Sequence, residues 1–204
     1  MSRITWYFDF ISPFAYLQAV EIDKLGIEVV PRPVLLAGLL KHWGHKGPAE
    51  IPTKRLFTYR HCLWLARKHG ISMRFPESHP FNPLFGLRLA LAAGSSWAAI
   101  MHIFRFVWEE GHSFVDLDRC RELAGGLGVD MERTQDATIK ERLMENGSRA
   151  IQSGVFGVPT LLVDGQLFWG FDATDMALDY LSGKLPLDQD EDLRLQRLPV
   201  SAHR

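Results

Sequence analysis

Ser12 and the two cysteines frame the chemistry open to this chain. Ser12 lies in "DFISPFAYL", Asp9 to Leu17, where a strand-like run gives way to a helix-like one. A serine just before a proline at such a joint is an N-cap, its oxygen accepting from a first-turn N–H. The same geometry can serve an anion. A helix start carries unpaired N–H groups and the positive end of the helix dipole, and a hydroxyl adds a hydrogen bond. A thiolate is a suitable guest, because thiols lose pKa at helix N-termini. Lowering a thiol pKa by about two units takes roughly 2.7 kcal/mol. A hydrogen bond to a charged group supplies about 1.5–3 kcal/mol and a helix end about 0.3–1, so no general base is needed. Cys62 and Cys120 form no Cys-x-x-Cys and neither adjoins Ser12. The thiol therefore has to come from a ligand.

Two later stretches offer complementary groups. In "GVFGVPT", Gly154 to Thr160, Val158-Pro159 precedes a strand. Most X–Pro bonds are trans, and the sequence leaves the isomer open. In the cis form, the N–H and C=O of Val158 would meet an extended peptide as an added strand does. In "FWGFD", Phe168 to Asp172, the aspartate reads as the N-cap of a last helix. A carboxylate beside free helix N–H groups can also hold a zwitterionic amino-acid group. His42 and His45 in "KHWGHKG" read as loop residues with no acid or cysteine at ligand spacing, so no metal site is expected. "AGGLGVD" follows a helix and reads as a helix end, not a phosphate loop. No Gly-x-Ser-x-Gly elbow occurs.

The elements that must position these groups follow from periodicity. "ITWYFDF" alternates, with Ile4, Trp6, Phe8 and Phe10 on one face of a strand. A helix runs from Pro13 to Leu25 and stops at Gly26. "IEVVPRPV" is a second strand, which Pro31 and Pro33 place at an edge or end outside the ladder. The middle is helical. "RLFTYRHCLWLARKHG" puts Leu56, Tyr59, Leu63 and Ala66 on one face, and further helices start after Asn82-Pro83, at Ser96, at Asp116 and near Thr134. "TLLVDGQLFWG" is a hairpin turning at Asp164-Gly165, and a helix over Asp172 to Leu181 closes the pattern. The tail from Lys184 to Arg204 is charged and aperiodic, and is expected to be loosely held. The order β-α-β, helices, β-β-α describes one α/β sandwich carrying a helical insertion.

Composition removes several function classes. The 204 residues are 47% hydrophobic, enough for one domain with a sizeable core. A net charge of −1 gives no bulk electrostatic case for nucleic acid or an anionic membrane. No apolar stretch is long enough to span a bilayer, and no signal-type apolar run forms before Asp9. The expectation is a soluble protein of a reducing compartment, the cytoplasm.

At "YFDFISPFAYL", "GVFGVPTLLVDGQLFWGFD", "RPVLLAGLLK" and "VWEEGHSF", the chain resembles the 2-hydroxychromene-2-carboxylate isomerase family. That family belongs to the DsbA-like thioredoxin superfamily and is related to kappa-class glutathione transferases. The resemblance covers about residues 3–183. It implies a thioredoxin-like fold from residues 1–34 and 154–183, with residues 35–153 as the insertion. It implies glutathione as cofactor, held by Ser12, Val158, a cis Pro159, Trp169, Gly170, Phe171 and Asp172. Ser12 would hold the sulfur, where redox-active relatives carry the first cysteine of Cys-x-x-Cys. An aromatic acid substrate would meet Leu40, Lys41, Glu50, Lys54 and His79. Family members often read Trp-Gly-(Asn or Gln)-Asp-Arg, whereas Phe171 and Ala173 stand here at the polar residue and the arginine. Where relatives carry an acid and an arginine, this chain has His61 and Trp64, and His79 stands at a tyrosine-like substrate position. The implied reaction is a glutathione-dependent cis–trans isomerisation. The rivals are a kappa-like transferase or peroxidase and a redox-inactive binding module. Relatives are often homodimers, and no interface stripe stands out in this sequence.

Overall fold

The computed structural model describes residues 3–185 and 189–199. Four strands form one sheet in the order β2-β1-β3-β4. β1, Ile4–Phe8, is its central framework, pairing parallel with β2, Val30–Pro33, and antiparallel with β3, Thr160–Val163. β4, Gln166–Trp169, pairs antiparallel with β3. Ile4, Trp6, Phe8 and Phe10 are buried as the alternation predicts, and Tyr7 is buried as well. β1 is buried along its length except at Thr5, which is partly exposed.

Local chemistry sets the element ends. α1, Pro13–Leu25, begins where the Ser12 hydroxyl accepts from the Ala15 N–H at 3.2 Å. It ends at Gly26, whose left-handed backbone (φ 63°) donates to the Asp23 and Ile22 carbonyls. The β3–β4 turn places both Asp164 (φ 49°) and Gly165 (φ 84°) in the left-handed region, as a tight hairpin requires. β2 is an edge strand, as its prolines predict. Pro31 and Pro33 have no N–H to offer a further strand, and the Asn146 side chain donates to the Pro33 carbonyl at 3.0 Å.

Between β2 and β3 lie α2, Leu36–Trp43; α3, Pro52–Lys68; α4, Leu84–Ala92; α5, Trp97–Trp108; α6, Leu117–Gly126; and α7, Ala137–Gln152. Short 3-10 turns occupy Pro48–Glu50 and Met131–Gln135. α5 seals the sheet. The Phe104 ring lies 4.6 Å from that of Phe10, 5.7 Å from Phe8 and 6.1 Å from both Trp6 and Tyr16. α8, Thr174–Leu181, follows β4.

Three local expectations are corrected. Lys41 and His42 belong to α2, and the "KHWGH" stretch is helical up to the stop at Gly44. α3 buries Cys62 and Ala66, while Leu56 is half exposed, because the helix turns that end of its face outward. Asp172 does not cap the last helix: α8 begins at Thr174 after Ala173, with no side-chain cap. Of the tail, residues 186–188 and 200–204 lie outside the described residues; within it Gln189–Gln196 forms an exposed helix, α9, supported by the Glu191–Arg194 ion pair.

Candidate functional site

The residues that follow β1 are held rigidly. The Ser12 N–H donates to the Asp9 carbonyl at 3.1 Å, and the Ile11 N–H donates to the Asp9 carboxylate at 3.2 Å. The helical insertion grips the two intervening carbonyls. The Trp108 indole donates to the Phe10 carbonyl at 2.9 Å, and His79 Nε2 lies 2.8 Å from the Ile11 carbonyl. Ser12 is thus presented at the start of a 13-residue helix by a loop whose every peptide is fastened. Ser12 is 5% exposed, and its hydroxyl also contacts the Val158 carbonyl at 3.5 Å, the limit of hydrogen bonding. Such a weak contact exchanges readily for a shorter one to an anionic acceptor.

That contact brings together groups far apart in sequence. The Val158-Pro159 bond is cis. The Pro159 carbonyl accepts from the Gly170 N–H at 2.9 Å, and the Gly170 carbonyl accepts from Gln18 Nε2 at 3.0 Å. Gln18 is fully buried on α1 and also takes the Trp6 indole N–H and donates to the Thr174 hydroxyl. A ring of hydrogen bonds therefore links Ser12, Val158, Pro159, Gly170 and α1. Gly170 has φ 98°, and a Cβ there would stand 2.5 Å from the Asp172 carboxylate. Gly170→Ala is expected to cost about 1–3 kcal/mol of stability in urea unfolding, from the backbone conformation and this clash together. Trp169 is half exposed and lies over Gly157, with its ring 5.0 Å from Phe156. Phe171 is buried, with its ring against that of His69. Asp172 is exposed beside Gly170.

The residue that sequence reasoning missed is Asp9. Its side chain is fully buried and takes the Leu36 N–H at 2.8 Å, so it caps α2 from the end of the neighbouring strand. Burial pushes its pKa up to about 7, against the lowering effect of the backbone donors of Leu36, Ile11 and Phe10. The available signal was one carboxylate inside an apolar run, Ile4 to Leu17. Gln18 was missed for a plainer reason: a polar residue on a helix face reads as solvated.

The family model for the DsbA-like thioredoxin domain matches residues 3–182. The chain belongs to this family. Among curated proteins, it is 29% identical over 195 residues to a 2-hydroxychromene-2-carboxylate isomerase of Pseudomonas putida, covering 89% of this chain and 95% of that one. It is 24% identical over 205 residues to a glutathione S-transferase kappa 2 of Caenorhabditis elegans, covering 88% and 91%. Among solved structures, a 2-hydroxychromene-2-carboxylate isomerase superposes with a TM-score of 0.77 at 26% identity, covering 93% of this chain and 98% of that one. In DsbA-like terms, the sheet with α1 and α8 is the thioredoxin framework, and α2 to α7 are carried between β2 and β3.

The remaining sequence-derived site residues lie on the helical insertion. Leu40 and Glu50 converge on Gly47: a Cβ there would lie 3.3 Å from Leu40 Cδ1 and 3.2 Å from Glu50 Oε1. Glu50 accepts from the Gly47 N–H, so its carboxylate is engaged in the local turn. Lys41 on α2 and Lys54 in the first turn of α3 are exposed and form no ion pair among the described residues. Both ring nitrogens of His79 are engaged, one by Ile11 and one by the Tyr59 hydroxyl at 2.7 Å. A polar cleft of about 260 Å³ lined by Arg32, Arg142 and Arg149 lies beside the start of β2. Parallel pairing sets that end of the sheet opposite Ser12, so the cleft is separate from this site. Among the described residues, no group of three or more His, Cys, Asp or Glu could hold a metal, and no helix is long and apolar enough to cross a membrane.

Proposed function

We propose that this protein is a glutathione-dependent isomerase of the 2-hydroxychromene-2-carboxylate type. The observation that carries this reading is the Ser12 hydroxyl at the start of α1, joined through Val158 and Pro159 to the Gly170 loop. Similarity to isomerases of this name and to kappa glutathione transferases supports it. Glutathione lies along the cis-proline loop, pairing its backbone with Val158 and placing its γ-glutamyl end at Trp169, Gly170, the Phe171 backbone and Asp172. Its sulfur meets Ser12.

The chemistry uses a borrowed nucleophile. Ser12 and the helix start stabilise the thiolate, which adds to the conjugated alkene of an o-hydroxybenzylidenepyruvate-type acid. A C–S bond forms, and the alkene pair moves into the pyruvyl carbonyl as an enolate. The former double bond, now single, rotates. The enolate then re-forms the alkene and expels the thiolate, so glutathione is regenerated. The cis product closes through its phenol to the cyclic 2-hydroxychromene-2-carboxylate, and the sequence is reversible. Lys41 and Lys54 meet the substrate carboxylate, with Leu40 and Glu50 shaping that side. His79 enters the site as part of its frame.

The test is turnover of an o-hydroxybenzylidenepyruvate with and without glutathione, beside an electrophilic aryl halide. Isomerisation that requires glutathione and leaves the thiol unconsumed is expected. Conjugation of the aryl halide without isomerisation would assign the site to transferase chemistry instead. Binding has its own readout. A hundredfold excess of glutathione over Kd should stabilise the fold by about 2.7 kcal/mol, read as a thermal shift. No shift at millimolar glutathione would rule the cofactor out.

A further inference from the structure

The Ile11–Ser12 peptide has an unusual partner. Its carbonyl is taken by a histidine side chain from the helical insertion at 2.8 Å, while its N–H is bonded to the Asp9 carbonyl. A carbonyl only accepts, so His79 Nε2 carries the proton. Nδ1 is then the acceptor in the neutral ring, and it faces the Tyr59 hydroxyl at 2.7 Å. The ring is wedged between aromatic neighbours, with Trp108 at 5.6 Å, Phe75 at 5.9 Å and Phe81 at 6.0 Å. Burial, and to a lesser degree the nearby Arg55, lowers its pKa against the Ile11 hydrogen bond, which favours the neutral ring. The same hydroxyl donates to the His79 carbonyl at 2.8 Å, so its one proton is shared between two acceptors of one residue and ties both its ring and its backbone to α3.

We propose that His79 is a positioning residue for Ser12, and that Tyr59 fixes the tautomer in which His79 does this. The inference rests on the glutathione reading of the site. The peptide that His79 holds is the one immediately before Ser12, and the backbone there sets where the hydroxyl and the first turn of α1 point. Donation to its carbonyl also polarises the peptide, strengthening the Ser12 N–H as a donor. The relay runs from Tyr59 on α3 through His79 to Ile11 and Ser12. α3 is the helix whose first turn carries Lys54. The element proposed to hold the substrate carboxylate is thus tied to the residue proposed to hold the sulfur. A ring committed at both nitrogens fits this task better than direct substrate binding.

The experiment measures two quantities in wild type, His79→Phe, His79→Gln and Tyr59→Phe. These are the apparent pKa of bound glutathione, from thiolate absorbance against pH, and the kcat and KM of isomerisation. His79→Phe keeps an aromatic ring and removes the donor. It is expected to raise the bound thiol pKa by about one unit and lower kcat about tenfold, with the aromatic-acid KM within about twofold. Glutamine can donate to Ile11 and accept from Tyr59, so His79→Gln should recover most of both. Tyr59→Phe leaves His79 in place but frees its tautomer, and a kcat loss of about threefold with a smaller pKa rise is expected. It also carries the test if His79→Phe does not fold. A wild-type thiol pKa and kcat in both His79→Phe and Tyr59→Phe would overturn the proposal. So would a His79→Gln variant no better than phenylalanine. Absence of a thiolate band in wild type itself would instead overturn the glutathione reading, and this inference with it.

Discussion

Replacing Ser12 by alanine is expected to lower kcat by about 10- to 100-fold at saturating glutathione, the worth of one hydrogen bond to a charged group. The hydroxyl now makes two contacts, accepting from the Ala15 N–H at 3.2 Å and reaching the Val158 carbonyl at 3.5 Å. The first is a cap, and its loss should cost about 1 kcal/mol of stability. The second is the contact a bound sulfur would replace. The variant therefore separates two roles that share one atom. If Ser12 acts only as a cap, unfolding free energy falls by about 1 kcal/mol and turnover by the folded protein is unchanged. If it stabilises the thiolate, the thiol pKa of bound glutathione rises by about 1–2 units alongside the fall in kcat. Ser12→Cys is an informative companion. A thiol at this helix start should itself ionise readily, and with glutathione it would form a mixed disulfide under oxidising conditions instead of catalysing isomerisation. The measurements are steady-state turnover, thiolate absorbance against pH and urea unfolding on the same preparations.

What the sequence discloses about this fold is what short-range chemistry decides. Ser12 and Pro13 start α1 and Gly26 ends it, because a cap, a fixed φ and a left-handed residue act within a few positions. Asp164 and Gly165 turn the hairpin for the same reason. The misplaced features are those that depend on distant partners. α2 has no side-chain cap of its own, since its first N–H is taken by Asp9 from the β1–α1 loop, and a local reading of "KHWGH" had no start signal to use. Asp172 looked like a cap because aspartate before a helix usually is one. Here the chain needs two further residues to turn, with the Phe171 carbonyl accepting from the Thr174 side chain at 2.6 Å. The candidate site divides in the same way. Ser12, Pro159 and Gly170 carry local signatures. Asp9, Gln18 and the Tyr59–His79 relay are polar groups made useful by tertiary contacts, and those contacts only the fold supplies.

Asp9 should make the stability of this protein fall as pH rises, and the size of the effect is calculable. Its folded pKa is about 7 against an ordinary 3.8, and desolvation is the leading cause. The folded state therefore holds the proton that the unfolded chain releases, so between these values the native protein binds more protons and stability declines with pH. This contribution is fully present below the unfolded value of 3.8 and is lost as pH passes through about 7. Between pH 5 and pH 8 the difference is about 2–3 kcal/mol. Other groups titrate over the same range, so the quantity to measure is the stability of wild type minus that of Asp9→Asn. Asparagine keeps an oxygen for the Leu36 or Ile11 N–H but does not titrate. At pH 5 wild type should be the more stable, because a protonated carboxyl serves both donors at least as well as an amide. By pH 8 the advantage should shrink by about 2–3 kcal/mol, as ionised Asp9 bears the cost of a buried charge. The partners decide what gives way. Asp9 joins the Ile11 N–H, just before Ser12, to the first N–H of α2, the helix that carries Leu40 and Lys41. Hydrogen exchange at Leu36 and Ile11 should accelerate with pH beyond its intrinsic dependence in wild type and not in Asp9→Asn. A difference between the two proteins that stays constant from pH 5 to pH 8 would mean that Asp9 ionises in the fold as easily as in water.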